Sequence, residues 1–177
     1  FYYSVDGVTF EARKYAQTIR NIFKDIPVHL IAGEFLPEAN HLIDPSYKKH
    51  AIKEMKSFDK WLLYECFFLT KLQRGSKEYN ELITRFWNDT LSITEKLGTY
   101  IENNNISILY NINVNSNPGN ISLALATVLI SEFLHIPVIN NCHDYYWEGG
   151  NKQADIKVKD LKTGPRDFFY TNSHLGE

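Results

Sequence analysis

The stretch Ile106-Ser-Ile-Leu-Tyr-Asn-Ile112, followed by Asn113-Val-Asn-Ser-Asn-Pro-Gly-Asn120, decides the fold that we predict for this chain. The first run is short and apolar, which is typical of a buried strand. The asparagine-rich run predicts a polar loop at the carboxyl end of that strand. A helix over 121–134 and a second buried strand over 136–141 follow. This order predicts two parallel strands joined by a helical crossover.

A similar alternation opens the chain. Residues 1–5 are predicted to form a strand, and Asp6-Gly7-Val8 a tight turn in which Gly7 supplies a positive φ. Thr9 is the predicted N-cap of a helix. The apolar residues of that helix recur at the spacing of a single face: Ala12, Tyr15, Ala16, Ile19, Ile22 and Phe23. A strand over 27–33 then completes a β-α-β unit with a right-handed crossover.

The middle of the chain predicts two long helices, over 47–73 and 78–102, after a loop over 34–46. Their aromatic residues are interpreted as core, and the helices as an antiparallel pair packed on the sheet. A last strand is predicted over 167–171, after a charged and polar segment over 149–164. The expected fold class is therefore α/β, with a mostly parallel sheet, helices on both faces and an inserted helical pair.

Composition limits the class of protein. The 177 residues are 44% hydrophobic and 14% aromatic, which predicts one globular domain over 1–177. A net charge of −2 argues against a nucleic-acid partner. Cys66 and Cys142 form no C-x-x-C pair, which fits a reducing compartment and predicts a cytoplasmic protein. The sequence has no apolar run of ~18 residues. It also lacks a basic amphipathic helix, although the aromatic residues of 47–73 leave membrane association open.

Several chemistries lack their sequence motif. The chain has no G-x-G-x-x-G dinucleotide fingerprint, no P-loop and no G-x-S-x-G nucleophile elbow. His143-Asp144 could suggest a metal phosphohydrolase, but such folds are helical and this pair follows a predicted strand. A metal site would need two more ligands at suitable spacing. Neither a metal nor another cofactor is therefore expected.

The segment His143-Asp144-Tyr145-Tyr146-Trp147-Glu148 follows the predicted strand over 136–141. It combines aromatic faces with short polar side chains, which suits a planar ligand with hydroxyl groups, such as a sugar. The loops after parallel strands meet at one edge of a sheet, where ligands bind. We therefore predict a cleft at that edge, and its rim consists of Asp6, Asn115, His143, Asp144 and Trp147.

Simpler interpretations of these residues stay open. A turn alone would explain Gly7, and capping of the next helix would explain the asparagines of 113–120. His143 can be a structural histidine, and Glu148 the start of a loop. His29, His41, His50 and His135 are interpreted as structural or surface residues, because none of them shows a partner pattern.

Four segments, in this order, resemble the N-terminal domain of a GT-B glycosyltransferase of the retaining family-4 type. The first is the opening strand with Asp6-Gly7-Val8 and a helix containing Ala16, and the second is the strand ending Val28-His-Leu-Ile-Ala-Gly33. The third runs from Asn117-Pro118 to Ala126 and continues with Ile136-Pro-Val-Ile139 and His143-Asp144. The fourth is the strand ending Thr171-Asn-Ser173. Together they cover nearly the whole chain. The resemblance implies a Rossmann-like domain that forms one half of the GT-B architecture.

The resemblance also implies roles for single residues. His143 matches the family histidine that faces the transferred sugar, and Gly7 lies near the donor phosphates. Asp6, Asn115, Asp144, Tyr145 and Trp147 would shape the acceptor pocket. The family often has two glycines after the first strand, and here Asp6 stands in place of the first.

The resemblance thus implies the acceptor-binding half of a hexosyltransferase-type enzyme that uses a nucleotide sugar and retains the anomeric configuration. The partners implied are the nucleotide sugar, an acceptor glycan or small hydroxyl compound, and the enzyme's own C-terminal domain. Phe1 opens within a predicted strand and Glu177 follows a turn, so the chain is interpreted as an inactive piece of a longer protein. The alternatives are a non-catalytic sugar- or nucleotide-binding module and a sugar-nucleotide epimerase of the GT-B type.

Overall fold

The computed structural model describes residues 2–57, 59–68, 70, 72–115 and 119–143. The chain divides into two compact units, Phe1–Ser57 and Phe58–Glu177. The prediction of one domain over 1–177 stays a prediction. The last predicted strand, 167–171, and the polar segment over 149–164 lie outside the described residues.

The first unit contains four short strands, one long helix and a 3-10 helix. In chain order these elements are β1 (Tyr2–Tyr3), α1 (Gly7–Ile22), β2 (His29–Ala32), β3 (Glu34–Phe35), a 3-10 helix (Pro37–Leu42) and β4 (Lys48–Ala51). β1 pairs in parallel with β3, and β2 pairs in parallel with β4 from His29↔Lys48 to Ala32↔Ala51. In the described chain β1 and β2 are not neighbours, so the β-α-β unit predicted from this segment does not form as a directly paired unit.

The start of α1 differs from the prediction. Asp6, and not Thr9, is the N-cap, because its side chain accepts a hydrogen bond from the backbone N–H of Thr9 at 2.8 Å. Gly7 is the first helical residue instead of a turn residue with positive φ. Thr9 is buried, and its hydroxyl oxygen accepts from the backbone N–H of Ser4 at 3.2 Å. A carboxylate three residues before the predicted cap therefore caps the helix.

The helix predicted over 47–73 is wrong. Residues 48–51 form β4, and the only helix of this segment in the described chain is α2 (Tyr64–Phe68). The run over 47–57 carries apolar residues at a helical spacing, since Tyr47, Ala51 and Met55 stand four residues apart. That spacing is a local signal, and pairing with a distant strand overrides it. β4 is stabilised by its pairing with β2. Beyond the paired residues, Lys48 N–H donates to Val28 O and Ile52 N–H donates to Ala32 O, each at 2.9 Å.

The loop predicted over 34–46 is also partly ordered into regular structure, since it contains β3 and the 3-10 helix. Its Asp44 closes a local turn by accepting from the backbone N–H and the hydroxyl of Ser46, at 2.8 and 2.7 Å. These hydrogen bonds lower the pKa of the Asp44 carboxyl. Burial, and then the nearby charge of Lys48, lowers the pKa of His29.

The second unit contains the predicted parallel β-α-β unit. After α2 come α3 (Lys77–Asn103), β5 (Leu109–Ile112), α4 (Ile121–Leu134) and β6 (Val138–Asn141). β5 and β6 pair in parallel, with Leu109 opposite Val138 and Ile112 opposite Asn141. This confirms the two strands and the crossover helix. The antiparallel pair of long helices is wrong, because α3 is the only long helix between residues 47 and 103 in the described chain.

Helix α4 begins and ends where the sequence predicted. The Asn120 side chain accepts from the backbone N–H of Leu123 at 3.1 Å and caps the amino end. His135 takes a left-handed conformation, with φ of 52°, and ends the helix. Half of the residues of α4 are buried, and α4 packs against α3.

An aromatic cluster forms the core of the second unit. Trp61 and Phe67 stack with ring centroids 5.6 Å apart, and Phe67 contacts Phe86 at 5.5 Å. The indole N–H of Trp61 donates to the Asp89 carboxylate at 3.1 Å. Ser122 donates to the backbone oxygen of Phe86 at 3.3 Å. The interpretation of the aromatic residues as core is therefore confirmed for Trp61, Phe67 and Phe86, whereas Trp87 is 36% exposed.

The architecture is a mixed α/β fold with short parallel strand pairs. The described strands form three separate pairs, and a single sheet with helices on both faces stays a prediction. No helix in the described part of the chain has the length and apolar character needed to cross a membrane.

The aromatic core generates the first prediction. Phe86→Ala should lower the free energy of unfolding by about 3–5 kcal/mol, because it removes a fully buried ring and leaves a cavity. Phe133→Ala is the matched control, since this ring on α4 is 74% exposed, and it should change that free energy by less than about 0.5 kcal/mol. Urea denaturation measures both, and equal losses would contradict the core assignment.

Candidate functional site

The carboxyl ends of β5 and β6 lie side by side, as parallel pairing requires. His143 follows β6 after one intervening residue, and its side chain is exposed. Its backbone N–H donates to the side-chain oxygen of Asn113, the first residue after β5, at 3.1 Å. The Asn113 N–H in turn donates to the backbone oxygen of Asn141 at 2.9 Å. The two loops are therefore tied together at the edge where ligands bind in parallel sheets.

Asn113 has a backbone conformation that favours its residue type. Its φ of 57° lies in the left-handed region, which asparagine visits more readily than most residues with a Cβ. This turn aims the Asn113 side chain at the backbone of the next loop. The left-handed conformation thus positions the acceptor that holds the His143 backbone.

Three asparagine side chains meet on the β5–β6 pair, and we call them the amide cluster: Asn111, Asn115 and Asn140. Asn111 and Asn140 are paired residues of the two strands. The Asn140 side-chain oxygen accepts from the amide nitrogens of Asn111 and Asn115, each at 3.2 Å. Thr127 on α4 donates to Ala124 O at 2.8 Å, and its hydroxyl lies 3.4 Å from the Asn115 side-chain oxygen. The cluster therefore links both strands, the loop and the crossover helix.

The asparagines of this region have different roles. Asn120 caps α4, as the simpler interpretation expected for the whole loop. Asn115 belongs instead to the amide cluster, and Asn113 holds the His143 backbone. The amide nitrogen of Asn141 is buried, with no hydrogen-bond partner among the described residues. Capping therefore accounts for only one of these four residues.

Asp6 and Gly7 belong to the first unit, at the amino end of α1. Both Asp6 oxygens have local partners, because Oδ1 accepts from Thr9 N–H at 2.8 Å and Oδ2 from the Ser4 hydroxyl at 2.6 Å. Gly7 is exposed, and a Cβ added there would meet nothing within 4 Å. The backbone alone therefore does not require glycine at this position.

The predicted cleft is described only in part. Asn115 and His143 lie in loops that leave the same edge of one strand pair, whereas Asp6 and Gly7 belong to the other unit. Asp144, Tyr145 and Trp147 lie outside the described residues. Convergence of all the predicted rim residues therefore stays a prediction.

Sequence reasoning missed Asn111, Asn140 and Thr127. The sequence did not pair the first two, since Asn111 is the sixth residue of the predicted strand over 106–112 and Asn140 the fifth of the strand over 136–141; the observed register places them opposite each other. Thr127 gave no signal, because its contact depends on how α4 lies on the strands.

The described residues contain no group of three or more His, Cys, Asp or Glu side chains that could hold a metal ion. Burial raises the pKa of Tyr100, near the end of α3. Burial also raises the pKa of Tyr3, and the positive charge of Arg13 opposes this shift without cancelling it. These shifts follow from packing and not from a cluster of charges.

Comparison with known proteins returned no match, whether to a family model, a curated protein or a solved structure.

The geometry at α1 generates a paired prediction. Asp6→Ala should lower the free energy of unfolding of the first unit by about 1 kcal/mol, because the backbone N–H of Thr9 loses its acceptor, and Asp6→Asn should nearly preserve that free energy.

Gly7→Ala should raise the same free energy by about 0.4–1 kcal/mol, because alanine restricts the unfolded chain and fits the helix. Urea denaturation followed by circular dichroism tests all three, and a destabilising Gly7→Ala would contradict the helical assignment.

A second prediction concerns the tie between the loops. Asn113→Gly keeps the left-handed backbone but removes the acceptor, so the His143 amide should exchange its hydrogen about 2–10 times faster. Asn105→Gly is the matched control, since Asn105 has a φ of 51° but follows α3. Hydrogen exchange by NMR measures the effect. Equal rates in both variants would show that Asn113 does not hold His143.

Proposed function

We propose that this chain is the acceptor-binding half of a retaining glycosyltransferase that uses a nucleotide-sugar donor, with a Rossmann-like GT-B architecture. One observation carries the proposal: exposed His143 follows β6, and its backbone is tied to the loop after β5. In parallel α/β folds this edge is where ligands bind. The β5–α4–β6 unit supports the proposal because it supplies a parallel pair with its crossover helix.

In this proposal the His143 imidazole faces the transferred sugar. Its backbone N–H donates to Asn113, which gives the residue a defined position, and His143 is exposed at the ends of the two strands. The ring would bond a sugar hydroxyl and stabilise the positive charge that develops in an oxocarbenium-like transition state. Such groups act best when they are held in place before the reaction.

The remaining roles follow the resemblance. Asp144, Tyr145 and Trp147 would shape the acceptor pocket together with Asn115, and aromatic faces would stack on sugar rings. The Gly7 backbone would approach a donor phosphate. The neighbouring Asp6 carboxylate repels such a group, so the neutralising cation would come from the second domain of the enzyme.

The amino-acid substitution that tests the proposal is His143→Ala in the native protein that carries this chain. Transfer is measured by incubation with a panel of UDP-, GDP- and ADP-sugars and mixed acceptors, with detection of the released nucleotide and NMR assignment of the product anomer. We expect retention of configuration. We also expect a loss of about 10²–10³ in kcat for His143→Ala, the size seen when one group that stabilises transition-state charge is removed.

The matched control is His135→Asn. His135 is also exposed, but it ends α4 at the opposite end of the β5–β6 pair, and asparagine tolerates its left-handed backbone. Its kcat should equal that of the wild type. The absence of transfer from every donor would reject the glycosyltransferase, as would a His143→Ala variant with unchanged kcat. Sugar binding without transfer would favour a binding module, and epimerised donor would favour an epimerase.

A further inference from the structure

We propose that the acceptor is an uncharged polyhydroxyl compound, such as a neutral glycan or polyol, and that the amide cluster of Asn111, Asn115 and Asn140 recognises its hydroxyl groups. This inference rests on the proposed function, because it names the acceptor class of the same edge. The three side chains lie on β5, β6 and the loop between β5 and α4.

The charge pattern supports a neutral ligand. No Asp, Glu, Lys or Arg occurs between Glu102 and Glu132, a stretch that contains β5, the polar loop and most of α4. From residue 103 to residue 143, only His135 and His143 can carry a positive charge. His135 lies at the opposite end of the strand pair. A phosphate or carboxylate on the acceptor would normally be held by Arg or Lys, and these elements offer neither.

The hydrogen bonds of the cluster leave a suitable group exposed. The Asn140 oxygen already accepts from Asn111 and Asn115, which turns the Asn140 amide nitrogen away from them. The Asn140 side chain is exposed, so a ligand can reach that nitrogen. A hydroxyl group can donate and accept hydrogen bonds at the same time, and a side-chain amide offers both an acceptor oxygen and a donor nitrogen. An array of amides therefore matches the alternating donors and acceptors of neighbouring sugar hydroxyls.

Strand preference alone does not explain these residues. Asparagine is depleted in strands, and β-branched residues would pack better at a paired position. Asn111 and Asn140 nevertheless occupy paired positions of strands whose other residues are mostly apolar. Such a departure from local preference is expected where a residue serves binding.

The test uses the native protein that carries this chain and a glycan array with matched neutral and anionic members. The anionic members carry uronate, sialyl, phosphate or sulfate groups on otherwise similar sugars. Dissociation constants of the strongest ligands are then measured by NMR titration. We expect neutral members to bind, and we expect Asn140→Ala and Asn115→Ala each to weaken that binding at least about tenfold.

The control is Asn88→Ala, which changes an exposed asparagine in the middle of α3 and should leave every affinity unchanged. Thermal melting of each variant separates binding from folding, because a purely structural cluster would lower the melting temperature and leave the affinity of the folded protein intact. That result would overturn the inference, as would tighter binding of an anionic member or no binding of any neutral one.

The two proposals fail in different ways. Sugar transfer to an anionic acceptor would reject the neutral acceptor class and keep the glycosyltransferase. Binding of a neutral glycan that depends on Asn140, without transfer from any nucleotide sugar, would keep the acceptor class and reject the transferase. The transfer assay with His143→Ala therefore tests the glycosyltransferase, and the glycan array with Asn140→Ala tests the acceptor class.

Discussion

The parallel pairing of β5 with β6 is the constraint on which the candidate site depends. Parallel strands need a crossover, and α4 supplies it between an Asn120 cap and a left-handed His135. Once the strands run in the same direction, the loops that follow them must leave from the same edge. The hydrogen bond from His143 to Asn113 and the amide cluster both exist because of that direction.

Asparagine residues have three different structural roles around this strand pair. Asn120 replaces a missing helical acceptor, Asn113 adopts a left-handed turn, and Asn140 accepts from two neighbouring amides. The first two roles are common for this residue type and concern the backbone. The third is not, because a strand interior favours other residues. A functional account is therefore needed for the amide cluster and not for every asparagine in the loop.

The sequence predicted α4 and the two strands around it well, because their signals are local: an apolar run, a capping asparagine and short buried segments. It failed over 47–73, where the spacing of the apolar residues predicts a helix but residues 48–51 form a strand that pairs with β2. Strand pairing of that kind depends on a distant partner. At the site, His143 and Asn115 were predictable as polar residues after strands. Asn111 and Asn140 required the register of the pair, which only the structure provides.

The absence of charge in α4 has a structural explanation of its own. Its residues from Ile121 to Ile130 are mostly buried, and burial excludes unpaired charges whatever the function. Burial does not exclude charge from Asn140, which is exposed and could carry a charged side chain at no desolvation cost. Nor is the loop after β5 fully buried, since Asn113 and Asn115 are only half-buried. At an exposed edge a charged residue would be tolerated, and amides stand there instead. The absence of Lys and Arg from the loop after β5 and from the strand ends therefore argues against an anionic ligand, whereas the same absence in α4 follows from burial alone.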